Sequence, residues 1–468
     1  MRDARLSLRF ARHASVEIGA SYVSFLWSFE LLAVINVGIV LLAALRQRPA
    51  TCILALDQVL VLRSLIAIQN LGRPESQVSV PLWVFSPNNV PTAIGIFAVA
   101  AAVQLFFVLL PSKRVECPGS SLQPVPRPVL VVLLAYFAVA ALSSDTIFAA
   151  PYLHPRGWTI QGIELGGLNQ LFLALFFYEI VRRIFSGQLR PWKGLAVIGL
   201  VFLFTDYLKG STGNATGFLV TAALILPMPS GATTAMRWRH AAKTLGIILA
   251  IASFTFLVRQ VRTTLYNRGA DAVSDVVDIG VHTYGAPATG ASGYEDAGIG
   301  YQYAAHIYEC ISLYDMGRSR EWKSFYQVIE FTLKPSFLGF DRSEDAAYDL
   351  QDHFVGGGGS YTVGEFYWNG GYLAVVVGFI LVAGWAFLCD TRYRRGQMWL
   401  ALFCTFAPQL LEGAGYGLVN LARGAANGIW LALLLWGFRF ISARRQLAGT
   451  PGRESSGREP SPTMAQSR

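Results

Sequence analysis

Four cations stand where long apolar stretches of the chain end. Arg259 and Arg262 occur in VRQVRTTLYNRG, Lys209 in LKGSTGN and Arg423 in NLARGAANG. Arginine offers paired N–H donors that match a phosphate. Cations from three separate places in the sequence can therefore surround one anionic headgroup if their helices pack together. The plainer reading is that each one snorkels to the bilayer surface, and both readings fit the residues. Carboxylates lie nearby: Glu295 and Asp296 are adjacent in GYEDAG, Glu412 is in LLEGAG, and Glu365 opens a late apolar run. A carboxylate whose pKa is raised near the interface can act as a general base. His282, His306 and His353 fall in the same region, and His306 and Cys310 have i,i+4 spacing. No further ligand stands at metal spacing, so neither a metal nor another cofactor is expected. The five cysteines are scattered and form no disulfide framework.

The elements that must position these groups are membrane spans. Of 468 residues, 53% are hydrophobic and only 14% charged, with a mean hydropathy of +0.42. Soluble domains carry about 25% charged residues. The expected fold class is an all-α polytopic membrane protein, with eleven spans near 21–44, 51–71, 91–110, 128–149, 163–181, 192–208, 213–229, 241–258, 368–388, 397–412 and 424–440. The second is the weakest, because Asp57 and Arg63 interrupt it. Nothing resembles a cleavable signal peptide, and no internal repeat is visible.

Lysine and arginine mark the cytoplasmic side of a span. With the C-terminal tail inside, the connections holding Arg46/Arg48, Lys113/Arg114/Arg127, Arg182/Arg183/Arg190/Lys193, Arg237/Arg239/Lys243 and Arg392/Arg394/Arg395 also fall inside. Eleven spans then put the N-terminus outside despite Arg2, Arg5, Arg9 and Arg12, a conflict the sequence leaves standing. Four regions follow: a bundle over 1–258, a large periplasmic loop over 259–366, a C-terminal bundle over 367–440, and a disordered cytoplasmic tail over 441–468.

The large loop holds eight Lys and Arg against fifteen Asp and Glu, a net −7, so the remainder carries +16 of the overall +9. The positive charge belongs to the membrane surface, and a nucleic-acid partner is not expected. Connections this long are uncommon unless functional. Within it, 299–315 and 321–333 read as helices rich in Tyr, Phe and Trp. Such rings anchor helices at the bilayer interface and also make platforms for sugar rings. Four glycines, Gly356 to Gly359, stand six residues before Glu365. They are either an exposed loop or a hinge that lets the loop close while Glu365 and Asn369 stay fixed at the span.

The layout resembles the Wzy-type O-antigen or oligosaccharide repeat-unit polymerases, including the enterobacterial common antigen polymerase branch. The likeness rests on LKGSTGNATGFLV (208–220), VRQVRTTLYNRG (258–269), FTLKPSFLGFDRS (331–343), GGGGSYTVGEFYWNGGYLA (356–374) and ARGAANG (422–428). One departure is Thr212, where the family's turn often carries arginine. Arg259 and Arg262 also lack the family's arginine-to-glycine spacing.

The resemblance implies a reaction between two polyprenyl-diphosphate-linked oligosaccharides at the outer face of the bacterial inner membrane, with a chain-length regulator as a partner. Arg259, Arg262, Lys209 and Arg423 are then the candidates to hold the leaving diphosphate. Glu365, or the Glu295/Asp296 pair, is the candidate base for the acceptor hydroxyl. Asn369, Tyr367 and Arg342 are the candidates to contact glycan. Rival readings are an O-antigen ligase, a lipid-oligosaccharide flippase and a non-catalytic assembly protein. Against a flippase stand the absence of repeat symmetry and the single large outer loop.

Overall fold

A computed structural model describes residues 28–70, 89–111, 122–143, 159–160, 163–164, 166–207, 213–226, 232–268, 298–333, 361–412 and 417–448. These residues form thirteen helices and one two-residue antiparallel strand pair. In chain order they are α1 (Ser28–Leu45), α2 (Pro49–Asn70), α3 (Asn89–Leu109), α4 (Arg127–Ser143), β1 (Thr159–Ile160), β2 (Ile163–Glu164), α5 (Gly166–Phe185), α6 (Pro191–Thr205) and α7 (Gly213–Leu224). There follow α8 (Thr234–Arg268), α9 (Gly298–Asp315), α10 (Lys323–Leu333), α11 (Thr362–Arg392), α12 (Gln397–Glu412) and α13 (Leu418–Ala448).

Each of the eleven expected spans overlaps a helix, but among the described residues six helices are long and apolar enough to cross a membrane. These six are Ser28–Leu45, Pro49–Ile66, Asn89–Leu109, Thr234–Val258, Thr362–Arg392 and Leu418–Ile441. Four more are apolar but shorter: Arg127–Val139, Pro191–Thr205, Ala215–Leu224 and Gln397–Leu411. The outward faces are apolar, with Val34, Val131, Leu249, Leu373 and Trp436 each at least 65% exposed. Bulky apolar side chains spread over several helix faces suit a hydrocarbon surround better than water. The composition and lengths are compatible with a multi-pass membrane protein.

Helix contact is close where a side chain is missing. A Cβ on Gly217 of α7 would lie 2.1 Å from the Pro408 carbonyl oxygen of α12. Small residues permit such backbone approach in apolar bundles.

Basic residues collect at one end. Arg46 and Arg48, in the α1–α2 turn, donate to the last carbonyls of α3. Arg46 reaches Val108 and Leu109 at 2.9 Å, while Arg48 reaches Phe107 at 2.5 Å, Val108 at 2.9 Å and also Leu110. Cations satisfy the orphan carbonyls of a helix C-terminus and suit its dipole. Asp390, near the end of α11, accepts from Ala50 N (2.7 Å), Thr51 N (2.9 Å) and Thr51 Oγ1 (2.7 Å), capping α2 from another helix. The Arg394 guanidinium lies 5.6 Å from the Phe185 ring centroid, which brings the end of α5 into the same basic rim.

Candidate functional site

The site lies where α9 and α10 meet α11. The sequence places a span over 368–388, but α11 begins earlier and is broken at Gly370 (φ −174°, ψ 33°) and Gly371 (φ 62°, ψ −151°). Only glycine adopts the Gly371 conformation without strain. The short half, 362–369, is buried along its whole length. It folds back on the long half, so that Phe366 packs edge-on against Phe379 at 5.7 Å and over Gly378. Its start reaches inside the bundle: Tyr361 Oη donates to Asp57 of α2 at 2.7 Å and its ring lies 6.3 Å from Phe97 of α3.

A helix break inside an apolar bundle frees carbonyls that need donors. The α9–α10 turn supplies them. Arg320 N donates to the Trp368 carbonyl and Trp322 N to that of Asn369, both at 3.1 Å. Ser319 Oγ lies 3.3 Å from each of the two oxygens. Trp368 Nε1 returns a bond to the Arg318 carbonyl at 2.6 Å. To fit, Glu321 and Trp322 both take positive φ, 50° and 65°, a conformation costly for bulky residues. Rings close over the break. Trp322 covers Gly370 and Tyr314 covers Gly371, while Tyr367 meets Tyr314 at 4.9 Å and Tyr372 at 5.4 Å.

Glu365 is fully buried, and its Oε2 accepts the Leu418 N–H at 2.8 Å, capping α13. It therefore sits inside the bundle rather than at an open join between loop and span. Asn369 is also fully buried. Its Oδ1 accepts from Ser324 N at 3.0 Å, capping α10, and its Nδ2 donates to Ser324 Oγ at 3.0 Å and the Glu365 carbonyl at 2.8 Å. The Asn369 amide thus ties the break, the cap and α10 together. Tyr367 Oη donates to Asp315 at 3.4 Å. Arg423, in the second turn of α13, donates to Asn420 at 3.1 Å.

Arg259 and Arg262 fall on the last turns of α8, with side chains outside the described residues. Lys209, Glu295, Asp296, Arg342 and the Gly356–Gly359 run lie outside them altogether. Helix segments that lie beside the three cations in the sequence do meet. Tyr207 after α6, Thr216 of α7 and Thr255 of α8 share hydroxyl hydrogen bonds of 3.0–3.2 Å. Thr255 is one helical turn before Arg259, and Tyr207 is two residues before Lys209.

Sequence reading missed Glu309, fully buried on α9 with His306 Nδ1 3.7 Å from its Oε2. Burial pushes the Glu309 carboxyl up to about 9 and the His306 imidazole down to about 4, so both are neutral at pH 7. It also missed Arg320, buried with its guanidinium 5.0 Å from the Trp368 ring. Glu309, Glu365 and Arg320 all lie within electrostatic reach of the Cys310 thiol, which burial raises. The only sequence hint was an acid one turn from His306 in an otherwise apolar, aromatic helix. Among the described residues no three His, Cys, Asp or Glu side chains converge into a metal-binding group.

Fold and site together define an all-helical chain with membrane-length helices and an enclosed polar cluster under a strained aromatic turn. Comparison with known protein families, with curated proteins and with solved structures finds no match.

Proposed function

We propose that this chain is a polysaccharide polymerase of the bacterial inner membrane. In this reading it joins polyprenyl-diphosphate-linked oligosaccharide repeat units at the outer face, with the C-terminus cytoplasmic. The observation that carries the reading is the aromatic turn locked on the broken helix. Trp322, Tyr314, Tyr367 and Tyr372 gather at the end of the bundle opposite the basic rim, beside buried acids. Discontinuous helices supported by neighbouring segments are a recurring way to build substrate sites in membrane bundles, and buried ionisable groups there are costly unless they serve a function.

The roles follow the chemistry. Donor glycan leaves its lipid diphosphate as the acceptor hydroxyl attacks the anomeric carbon. Cations must meet the developing charge on the diphosphate, and Arg259, Arg262, Lys209 and Arg423 are the candidates, of which Arg423 lies on α13, the helix whose start Glu365 caps. A carboxylate must take the hydroxyl proton, for which Glu365 and the Glu295/Asp296 pair are the candidates. Asn369 holds the scaffold, and Tyr367 and Arg342 remain glycan contacts. The basic rim supports a cytoplasmic assignment for that end.

The test is a gel of surface polysaccharide from source cells with and without the gene. A lost ladder over a core bearing a single repeat unit is the expected result, because export and ligation still run. A bare core overturns the polymerase reading. Accumulated long lipid-linked chains then mark a ligase, and their absence a flippase.

A further inference from the structure

The two aromatic helices differ in how they sit. α9 is buried from His306 to Leu313, whereas α10 is exposed along one side and its polarity is inverted. The face of α10 turned to the protein is polar: Ser324 is fully buried and Gln327 is 6% exposed. Ser324 bonds the Asn369 amide through both its backbone N and its hydroxyl, at 3.0 Å each, and Gln327 Oε1 accepts from Arg320 at 3.4 Å. The face turned outward carries Tyr326 and Ile329, 70% and 63% exposed. In water a surface helix buries its apolar stripe and exposes its polar one. A buried polar stripe beneath large exposed apolar side chains is the informative exception.

The exposed side is itself divided. Lys323 and Glu330 are both exposed and stand seven residues apart, so they share one line along the helix. Ile329 lies about 100–120° round the helix from that line, with Tyr326 between the two. An apolar edge, a charged edge and a tyrosine between them match the boundary where acyl chains give way to headgroups.

Neighbouring helices continue the apolar edge. α10 packs along α13, and Trp322, just ahead of α10, covers Gly370 at the break. The long half of α11 starts there, and its exposed Leu373, Ile380 and Leu381 run down a helix of membrane-crossing length. α10 thus stands at the head of an outward apolar stripe, at the end of the bundle opposite the basic rim.

We infer that α10 is docked in the phospholipid leaflet at that end, with Ile329 and Tyr326 among the acyl chains and Lys323 and Glu330 among the headgroups. The aromatic turn, tied to α10 through Trp322 and Asn369, is thereby held at the level where a headgroup carried on a lipid lies. The docking rests on exposure and polarity and does not depend on the polymerase reading.

The test uses the full-length protein reconstituted in vesicles of phosphatidylcholine and phosphatidylglycerol. Cys117→Ser is made throughout, because the other four cysteines are buried. Tyr326→Cys, Ile329→Cys, Glu330→Cys and Leu373→Cys are then made singly and given a nitroxide label. All four positions are exposed, so each variant is expected to fold. Collision with oxygen, which concentrates in hydrocarbon, is compared with collision with a water-soluble nickel chelate. The oxygen-to-nickel ratio at Ile329 and Tyr326 is expected to approach that at Leu373 and to exceed that at Glu330 by about threefold or more. Ratios at Ile329 and Tyr326 no higher than at Glu330 put water on both edges and overturn the inference. Labels at Ile329 and Tyr326 shielded from both reagents mean that protein covers this face, which overturns it equally.

Discussion

Glu365 caps Leu418: a carboxylate in the buried half of a broken helix accepts, at 2.8 Å, the first N–H of a helix that begins 53 residues later. The contact joins α11 to α13 inside the bundle, where water cannot serve the orphan donors of a helix start. Glu365→Ala removes the acceptor and is expected to destabilise the fold by about 1–2 kcal/mol. Glu365→Gln keeps an acceptor and is expected to leave Tm near wild type. If Glu365 also takes the acceptor proton, the glutamine variant folds normally yet loses about 100-fold or more in turnover. Thermal unfolding and a polymerisation assay on the same preparations separate the two roles, and normal turnover in Glu365→Gln leaves only the cap.

The break in α11 depends on Gly371. Its φ of 62° with ψ of −151° is open to glycine, and a Cβ there would come within 2.8 Å of Tyr314 Oη. Gly371→Ala is expected to cost about 1–3 kcal/mol of stability. Gly396, in the α11–α12 connection, has nothing within 4 Å of its Cβ position, so Gly396→Ala serves as the tolerated control. Equal melting of the two variants would mean that the break is not held as described.

The membrane-length helices and the paired aromatic helices were legible in the sequence, because apolar length and 3.6-residue periodicity are local properties. The expected helices over 299–315 and 321–333 appear as α9 and α10, within two residues at each end. The support for the break was not legible. WNGGY stands in plain sight, but the donors that make its bend tolerable come from Ser319, Arg320 and Trp322 in a distant turn. Glu365 was visible as an acid at the edge of an apolar run, yet its partner Leu418 is an apolar residue whose only relevant group is a backbone N–H. Glu309 carried no pattern beyond its position, and what sets it apart is enclosure, which only packing decides.

Asp390 makes the corresponding cap at the other end of the bundle, with an even longer reach. It joins the end of α11 to the start of α2 through Ala50 and Thr51, 339 residues away at the nearer of the two. Asp390→Ala removes three bonds at once and leaves buried donors on α2. It is expected to cost about 2–3 kcal/mol, at or above the top of the ordinary range for a lost cap. Thr51→Val removes only the Oγ1 bond and is expected to cost about 1 kcal/mol. Chemical or thermal unfolding of the two variants should rank them in that order, and a Thr51→Val loss as large as that of Asp390→Ala would shift the weight of the contact to the hydroxyl.

His306 and Glu309 give α9 a pH dependence with a definite sign. Glu309 titrates near 9 when folded against about 4.5 for an ordinary glutamate. The folded state therefore binds the extra proton, and stability from this group is complete below about 4.5 and is lost as pH rises towards 9. His306 titrates near 4 when folded against 6.5. Here the unfolded state binds the extra proton, so stability is complete above 6.5 and is lost as pH falls towards 4. Between about 4.5 and 6.5 the two slopes oppose and largely cancel. Above 6.5 only the Glu309 slope remains, so Tm is expected to fall steadily from pH 6.5 to 9. Glu309→Gln should flatten that limb and uncover the His306 slope, so that Tm rises from pH 4 to 6.5, whereas His306→Gln should remove the acid slope and extend the Glu309 fall down to about pH 4.5. Tm measured at half-unit steps from pH 4 to 9 for the three proteins checks both signs. An alkaline limb that survives in Glu309→Gln would assign the titration to another group.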